Sequence, residues 1–373
     1  MRHAVAVLCI LGLVGIFGLA QDDEITVWQL PEGANPGAMD WNEVDGLFVS
    51  LQNPLGIGIL EPATGILRTW NTGASPGEFV KIGDRLLTSH FFEGEISWLN
   101  TAAGTLSYFE LPSSGARIAR LVNADPTLNT ITLCYLDWTS GNVGQFEPTS
   151  SGVVDVHGLS PRVDVLVAIQ KSVTPTTVAV SAQYHPYDPN LPPATQFVPP
   201  TVTQPFTEWE LFSPQEPSLA VACTSDGRIW VSCSAGEPLQ ALSPWNHEVL
   251  LYDLPGSPWV FSLAPGPDNE VCYLAQDTTG AYSVGVLEGQ SGDVSRWLLP
   301  GASDPVNLRV IDGELWFADR ELGAICRLTP WTSTLTRWVT GSEDGPLYIV
   351  AGDPGEYWIT NERSAQIVRL RLP

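Results

Sequence analysis

The residues of this chain that could do chemistry are few, and their spacing fits no common catalytic pattern. There is no H-E-x-x-H zinc helix, no G-x-S-x-G nucleophile elbow, no P-loop and no EF-hand loop. His185 and Asp188, in HPYD, offer two ligands from one loop, too few to hold a metal; His157 falls on an expected outer strand and His247 in a turn. Beyond the first twenty residues lie Cys134, Cys223, Cys233, Cys272 and Cys326, with no C-x-x-C spacing, so at least one is unpaired in a monomer and buried thiols are expected.

Composition narrows the partners. The net charge is −24, with 44% hydrophobic and only 16% charged residues, and 34 Gly and 31 Pro are spread along the chain. That is a turn-rich folded protein whose field repels nucleic acid and anionic membrane surfaces. Residues 1–20 read as a secretory signal: Arg2 and His3, an apolar run from Ala4 to Leu19, and a small-x-small site at Gly18-Leu19-Ala20. An uncleaved anchor is the competing reading; no other segment is long and apolar enough to span a bilayer. The expectation is a secreted or periplasmic monomer, a single domain over residues 21–373.

The elements that must position any site repeat. From Pro36, equivalent positions fall at Pro76, Ala116, Pro161, Pro217, Pro258, Pro305 and Pro346, a step of about 40 to 47 residues that belongs to a four-stranded propeller blade. Each unit has a strand after the Pro, a turn such as VDG or IDG, an aromatic second strand (ELWFAD, EYWITN), a third strand ending in a turn (GILEPATG), and a fourth resembling LRTWNTG. Alternation over short runs bounded by Gly, Pro, Asp and Asn is the strand signal. Fourth strands counted near Trp28, Trp70, Phe109, Val156, Trp209, Tyr252, Trp297 and Trp338 give an all-β propeller of eight blades, seven being the alternative. The copy at Ile25–Pro31 stands alone, and the last unit lacks a fourth strand, so the first strand is expected to close the ring. A Pro-rich insertion, Tyr184–Pro193, lengthens the fourth unit.

These repeats, P-x-x-h, a D-G-type turn, an aromatic strand, h-x-P-x-T-G and W-x-L-P, resemble those of the virginiamycin B (streptogramin) lyases over residues 25–373. The resemblance implies the propeller fold, although those lyases have seven blades. It also implies ring opening of a cyclic depsipeptide by elimination, with a His base and a magnesium ion held partly by Glu and His. The family places His just after the repeat Pro; here those positions are Gly37, Gly77, Arg117, Arg162, Ser218, Trp259, Val306 and Leu347. Its acid ends the second strand; here stand Leu51, His90, Tyr135, Ala182, Cys233, Ala275, Asp319 and Asn361, a single acid. The pattern is missing. Only His90, Asp319 and Glu362, with Glu321 and Asn361 nearby, could build a rearranged magnesium-assisted lyase or hydrolase site for a cyclic ester or lactone.

On the same expected face, Arg117, Arg162, Tyr135 and Trp259 could ring a channel mouth and hold an anion, a sugar or a peptide. The expectation is therefore a binding or protein-interaction module without a cofactor, acting on a small molecule, a glycan or a protein.

Overall fold

The computed structural model describes residues 23–373 apart from 83–84, 112–116, 124–132, 138, 140–141, 147–154, 159–161, 174–175, 180–181, 186–205, 210–219, 234–235 and 341–344. The signal reading and Asp188 thus lie outside the described residues.

Antiparallel pairing builds seven blades around an axis. Blade 1 runs Pro36–Asn42, Gly46–Gln52, Leu55–Glu61, Ile66–Asn71; blade 2, Pro76–Ile82, Arg85–His90, Glu95–Asn100, Thr105–Glu110. Blade 3 is Ile118–Asn123, Leu133–Asp137, Val143–Phe146 and, far along the chain, Phe206–Trp209. Blade 4 is Ala220–Cys223, Ile229–Ser232, Leu239–Ser243, Glu248–Tyr252; blade 5, Trp259–Pro265, Glu270–Gln276, Tyr282–Glu288, Val294–Leu298. Blade 6 is Pro305–Ile311, Glu314–Asp319, Ala324–Thr329, Thr334–Val339. Blade 7 is Pro346–Ala351, Glu356–Asn361, Gln366–Arg371 and, as its fourth strand, Asp23–Gln29.

One blade cannot bury both faces of its sheet, so the core is divided. Seven apolar clusters fill the seven blade-to-blade interfaces; Phe48, Ile57 and Trp70 of blade 1, for example, meet Leu86, Leu99 and Leu106 of blade 2. Second strands, sandwiched on both sides, are almost wholly buried, which is why they are the most aromatic. Cys134, Cys223, Cys233, Cys272 and Cys326 are buried free thiols. The orphan N-terminal motif closes the ring, paired from Glu24–Arg371 to Gln29–Gln366, with Trp338 Nε1 donating to Asp23 Oδ2 at 2.7 Å.

The count of eight is corrected here to seven. The strand near Val156 and the unit beginning at Arg162, except its fourth strand near Trp209, are not blade material. After Val143–Phe146 the chain leaves blade 3 and runs backwards round the perimeter as a belt, with five short strands among the described residues, each laid antiparallel on the outer edge of a fourth strand. Asp155–Gly158 pairs with blade 2, Arg162–Val165 with blade 1, Ala168–Val173 with blade 7, Thr176–Ala179 with blade 6, and Ala182–His185 with blade 5. Phe206–Trp209 then returns to complete blade 3. An outer edge of unpaired N–H and C=O groups is what a β-branched run such as VDVLV can satisfy. Leu166 N donates to Gly65 O at 2.6 Å, an approach that only glycine allows: Gly65 has φ +69°, and a Cβ there would lie 2.2 Å from Leu166 O. Tyr184 and His185 sit in the last belt strand rather than in a loop between second and third strands.

Candidate functional site

First strands begin and second strands end on one face of the ring, as the pairs Pro76–His90, Pro305–Asp319 and Pro346–Asn361 fix. Near the start of the first strand a register shift recurs in blades 1, 2, 3, 5, 6 and 7. Such a bulge leaves a backbone group unpaired and re-aims the side chains beside it. A hydroxyl near the end of the second strand takes up the loose N–H: Ser89 Oγ accepts from Glu78 N at 3.1 Å, and Thr360 Oγ1 from Tyr348 N at 3.3 Å. Thr360 Oγ1 also donates to Gly37 O at 2.9 Å, tying blade 7 to blade 1.

Two acids of this face, Asp319 and Asp137, are occupied by backbone. Asp319 is fully buried, and its carboxylate accepts from Ser303 N (2.9 Å), Asp304 N (3.0 Å) and Leu322 N (3.2 Å). Asp137 does the same in blade 3, accepting from Arg117 N and Thr139 N, each at 2.9 Å. The sequence reading passed over Asp137: it placed Tyr135 at the end of the second strand, whereas Asp137 stands opposite Ile118 there. His90, in blade 2, is also fully buried; its Nε2 lies 2.7 Å from Ser97 Oγ and its ring 6.0 Å from that of Tyr108, so it reaches outward along its own blade. Burial lowers its pKa to about 4, against a smaller opposing contribution from the backbone of Ser75. Glu362 is half-buried in blade 7, with Glu321 paired to Arg363 beside it. His90, Asp319 and Glu362 thus belong to three different blades, and among the described residues no three His, Cys, Asp or Glu side chains are grouped to hold a metal.

Of the expected ligand-binding set, two residues stand on this face. Arg117 is exposed, its guanidinium 5.9 Å from the Phe91 ring; Trp259, 40% exposed, lies 5.6 Å from Phe261, which meets Tyr282 edge-on at 6.0 Å. Phe261 and Tyr282 were not foreseen; Phe261 enters the cluster at the bulge of blade 5, which a sequence alternation does not show. Tyr135 is instead core, its ring seated against Gly144, where a Cβ would come within 2.0 Å of it. Arg162 lies on the belt, on the outside of blade 1, bound to Asp164 by bonds of 3.0 Å.

The channel itself holds a cavity of about 370 Å³ walled by the first strands of all seven blades, with Asp40, Glu78, Lys81 and Arg309 the charged groups on it. These four were also missed. A charged residue inside an innermost strand, four or five places after the repeat Pro, is the signal that could have found Asp40, Lys81 and Arg309. A second cavity, about 730 Å³, opens between blades 7 and 1 beside the belt, lined in part by Trp41, Arg68, Val163 and Arg369.

The fold and its channel define the class: a seven-bladed β-propeller of four-stranded blades. Among solved structures the chain is similar to virginiamycin B lyase from Staphylococcus aureus, with a TM-score of 0.67 at 12% identity over 94% of this chain and 99% of that one. A streptogramin B lyase structure gives 0.67 at 13% identity, covering 94% and 98%. More distant propellers align as well, including YCF48 bound to D1 peptide (0.58, 10% identity, 94% and 97%) and the WD40 propeller domain of Doa1 (0.56, 9%, 94% and 97%). At such identities the likeness is one of fold. No family model matches the chain, nor does any curated protein sequence. No helix among the described residues is long and apolar enough to cross a membrane.

Proposed function

We propose that the protein is an exported binding or interaction module that takes its partner on the face where the first strands begin. The observation that carries this reading is the cluster Trp259, Phe261 and Tyr282, open to solvent at Trp259, with Arg117 and the exposed Phe92 elsewhere on the same face. Flat rings and a guanidinium recognise peptides and sugars by stacking and by planar hydrogen bonds. Asp319, one of the acids considered for a metal, is bonded by backbone N–H groups. The propeller similar to this one that is bound to D1 peptide supports a peptide or protein partner.

The test is binding of secreted, N-terminally sequenced protein to peptide and glycan arrays, comparing the wild type with Trp259→Ala and Arg117→Ala. Loss of each hit in the variants is expected; hits that survive both substitutions would place the interaction elsewhere. The same preparation, heated with magnesium or EDTA, addresses the metal-assisted lyase or hydrolase alternative. The binding-module reading expects no shift in melting temperature, whereas a magnesium-dependent rise with turnover of a lactone panel would replace it.

A further inference from the structure

The channel is charged on one side and apolar on the other. Arg309 of blade 6, Asp40 of blade 1 and the pair Glu78 and Lys81 of blade 2 line one side, while Leu121, Val221 and Leu263 of blades 3, 4 and 5 face them. Two of the four charges are already engaged. Lys81 is paired with Asp45 and lies 4.8 Å over the Phe48 ring, and Glu78 accepts from Leu121 N at 3.2 Å. The other two form no ion pair among the described residues. Asp40 accepts from Trp41 N at 2.9 Å and from the backbone of Lys81 but meets no cation, and Arg309 has neither a hydrogen bond nor an ion pair among the described residues. Burial pushes the Asp40 carboxyl above its usual range, and the Trp41 backbone and the Arg309 and Lys81 charges pull it part of the way back.

Two opposite charges carried on the first strands around one cavity form a two-point receptor. Coulomb attraction is strong there because the surroundings screen it poorly, and each group lacks the partner that would offset its partial desolvation. We propose that the channel binds a small zwitterion with an apolar tail, of which a free aliphatic amino acid is the simplest: carboxylate on Arg309, ammonium on Asp40, tail against Leu121, Val221 and Leu263. The cavity of about 370 Å³ lies within the range of small-molecule sites. This site is independent of the Trp259 cluster at the rim.

The experiment is isothermal titration of the full protein with a panel of free amino acids, followed for L-leucine by its one-charge analogues, 4-methylpentanoate and 3-methylbutylamine. Leucine is expected to bind saturably, each analogue at least about tenfold more weakly. Arg309→Gln should weaken leucine by the same factor and leave 3-methylbutylamine unchanged; Asp40→Asn should do the reverse with 4-methylpentanoate. Arg309→Lys, which keeps the charge, should recover part of the affinity, and Trp259→Ala should change nothing. A panel silent at millimolar concentration, analogues as tight as leucine, or an Arg309→Gln protein of native melting temperature that binds leucine normally would each overturn the proposal.

Discussion

Removing the Trp28 side chain tests whether the N-terminal strand closes the ring as the structure has it. The indole is 2% exposed, its ring centroid is 5.2 Å from that of Trp358, and the Arg369 guanidinium lies 5.4 Å over it. Truncating a buried Trp to Ala costs about 3–5 kcal/mol, of which the aromatic pair supplies about 0.5–1.5. Little relaxation is open to the site, because Asp23–Gln29 is fixed on both edges, by Gln366–Arg371 and by the belt strand Ala168–Val173. Trp28→Ala should therefore lose about 4 kcal/mol, a large part of the roughly 5–15 kcal/mol that holds a folded chain. Scaled by the usual unfolding entropy per residue, that is a fall of about 5–8 °C in melting temperature. Urea denaturation followed by circular dichroism measures it without relying on the fluorescence that the substitution removes. Trp28→Phe, which keeps most of the burial, should recover more than half. A loss for Trp28→Ala below about 1 kcal/mol would mean that the strand is not seated in blade 7.

Asp319→Ala leaves three backbone N–H groups without their acceptor and should cost about 3 kcal/mol, with no change on adding EDTA to the wild type; wild-type melting that falls with EDTA would assign the carboxylate to a metal instead. His90 is neutral in the folded protein down to about pH 4 but takes a proton near pH 6.5 once unfolded. Its contribution is intact above pH 6.5 and is lost as the pH falls towards 4, about 3 kcal/mol in all. Urea midpoints at both ends of that window should fall less steeply in His90→Gln, and parallel wild-type and variant profiles would refute the assignment. Amide hydrogen exchange reads the belt directly. Both alternating sets of amides in the fourth strands of blades 5 and 6 should be slow, whereas in Glu248–Tyr252 of blade 4, which no belt strand among the described residues covers, the outward set should be fast. Equal rates in all three would show that the belt does not pair.

The ring and its closure were legible because alternation, turn punctuation and an unpaired first motif are local signals. The blade count was not, because a strand added to an outer edge obeys the same alternation as one inside a blade. Pro161 before Arg162 imitated the repeat Pro, and nothing in the spacing says that Arg162–Val165 lies on Leu67 and Arg68 of blade 1 rather than opening a new sheet. At the site the failures have separate origins. Tyr135 and Asp137 are two residues apart, and choosing the wrong one exchanged a core ring for the capping acid. The resemblance points to strand ends, whereas Asp40, Lys81 and Arg309 sit within the first strands.

The belt also dictates the order in which this molecule can be finished. Thr176–Ala179 and Ala182–His185 emerge from the ribosome before their partners, Thr334–Val339 and Val294–Leu298, exist. Ala168–Val173 lies on the first strand of the chain, which is itself seated only when Gln366–Arg371 has been made. Domains usually fold as units while synthesis proceeds; here the last three belt strands wait unpaired, Ala182–His185 for blade 5, Thr176–Ala179 for blade 6 and Ala168–Val173 for blade 7. Gln366–Arg371 anchors Asp23–Gln29, and only then is Ala168–Val173 locked down. Shortening the C-terminus by one strand should therefore loosen residues around position 170 as well as blade 7, a link that no distance along the chain would suggest.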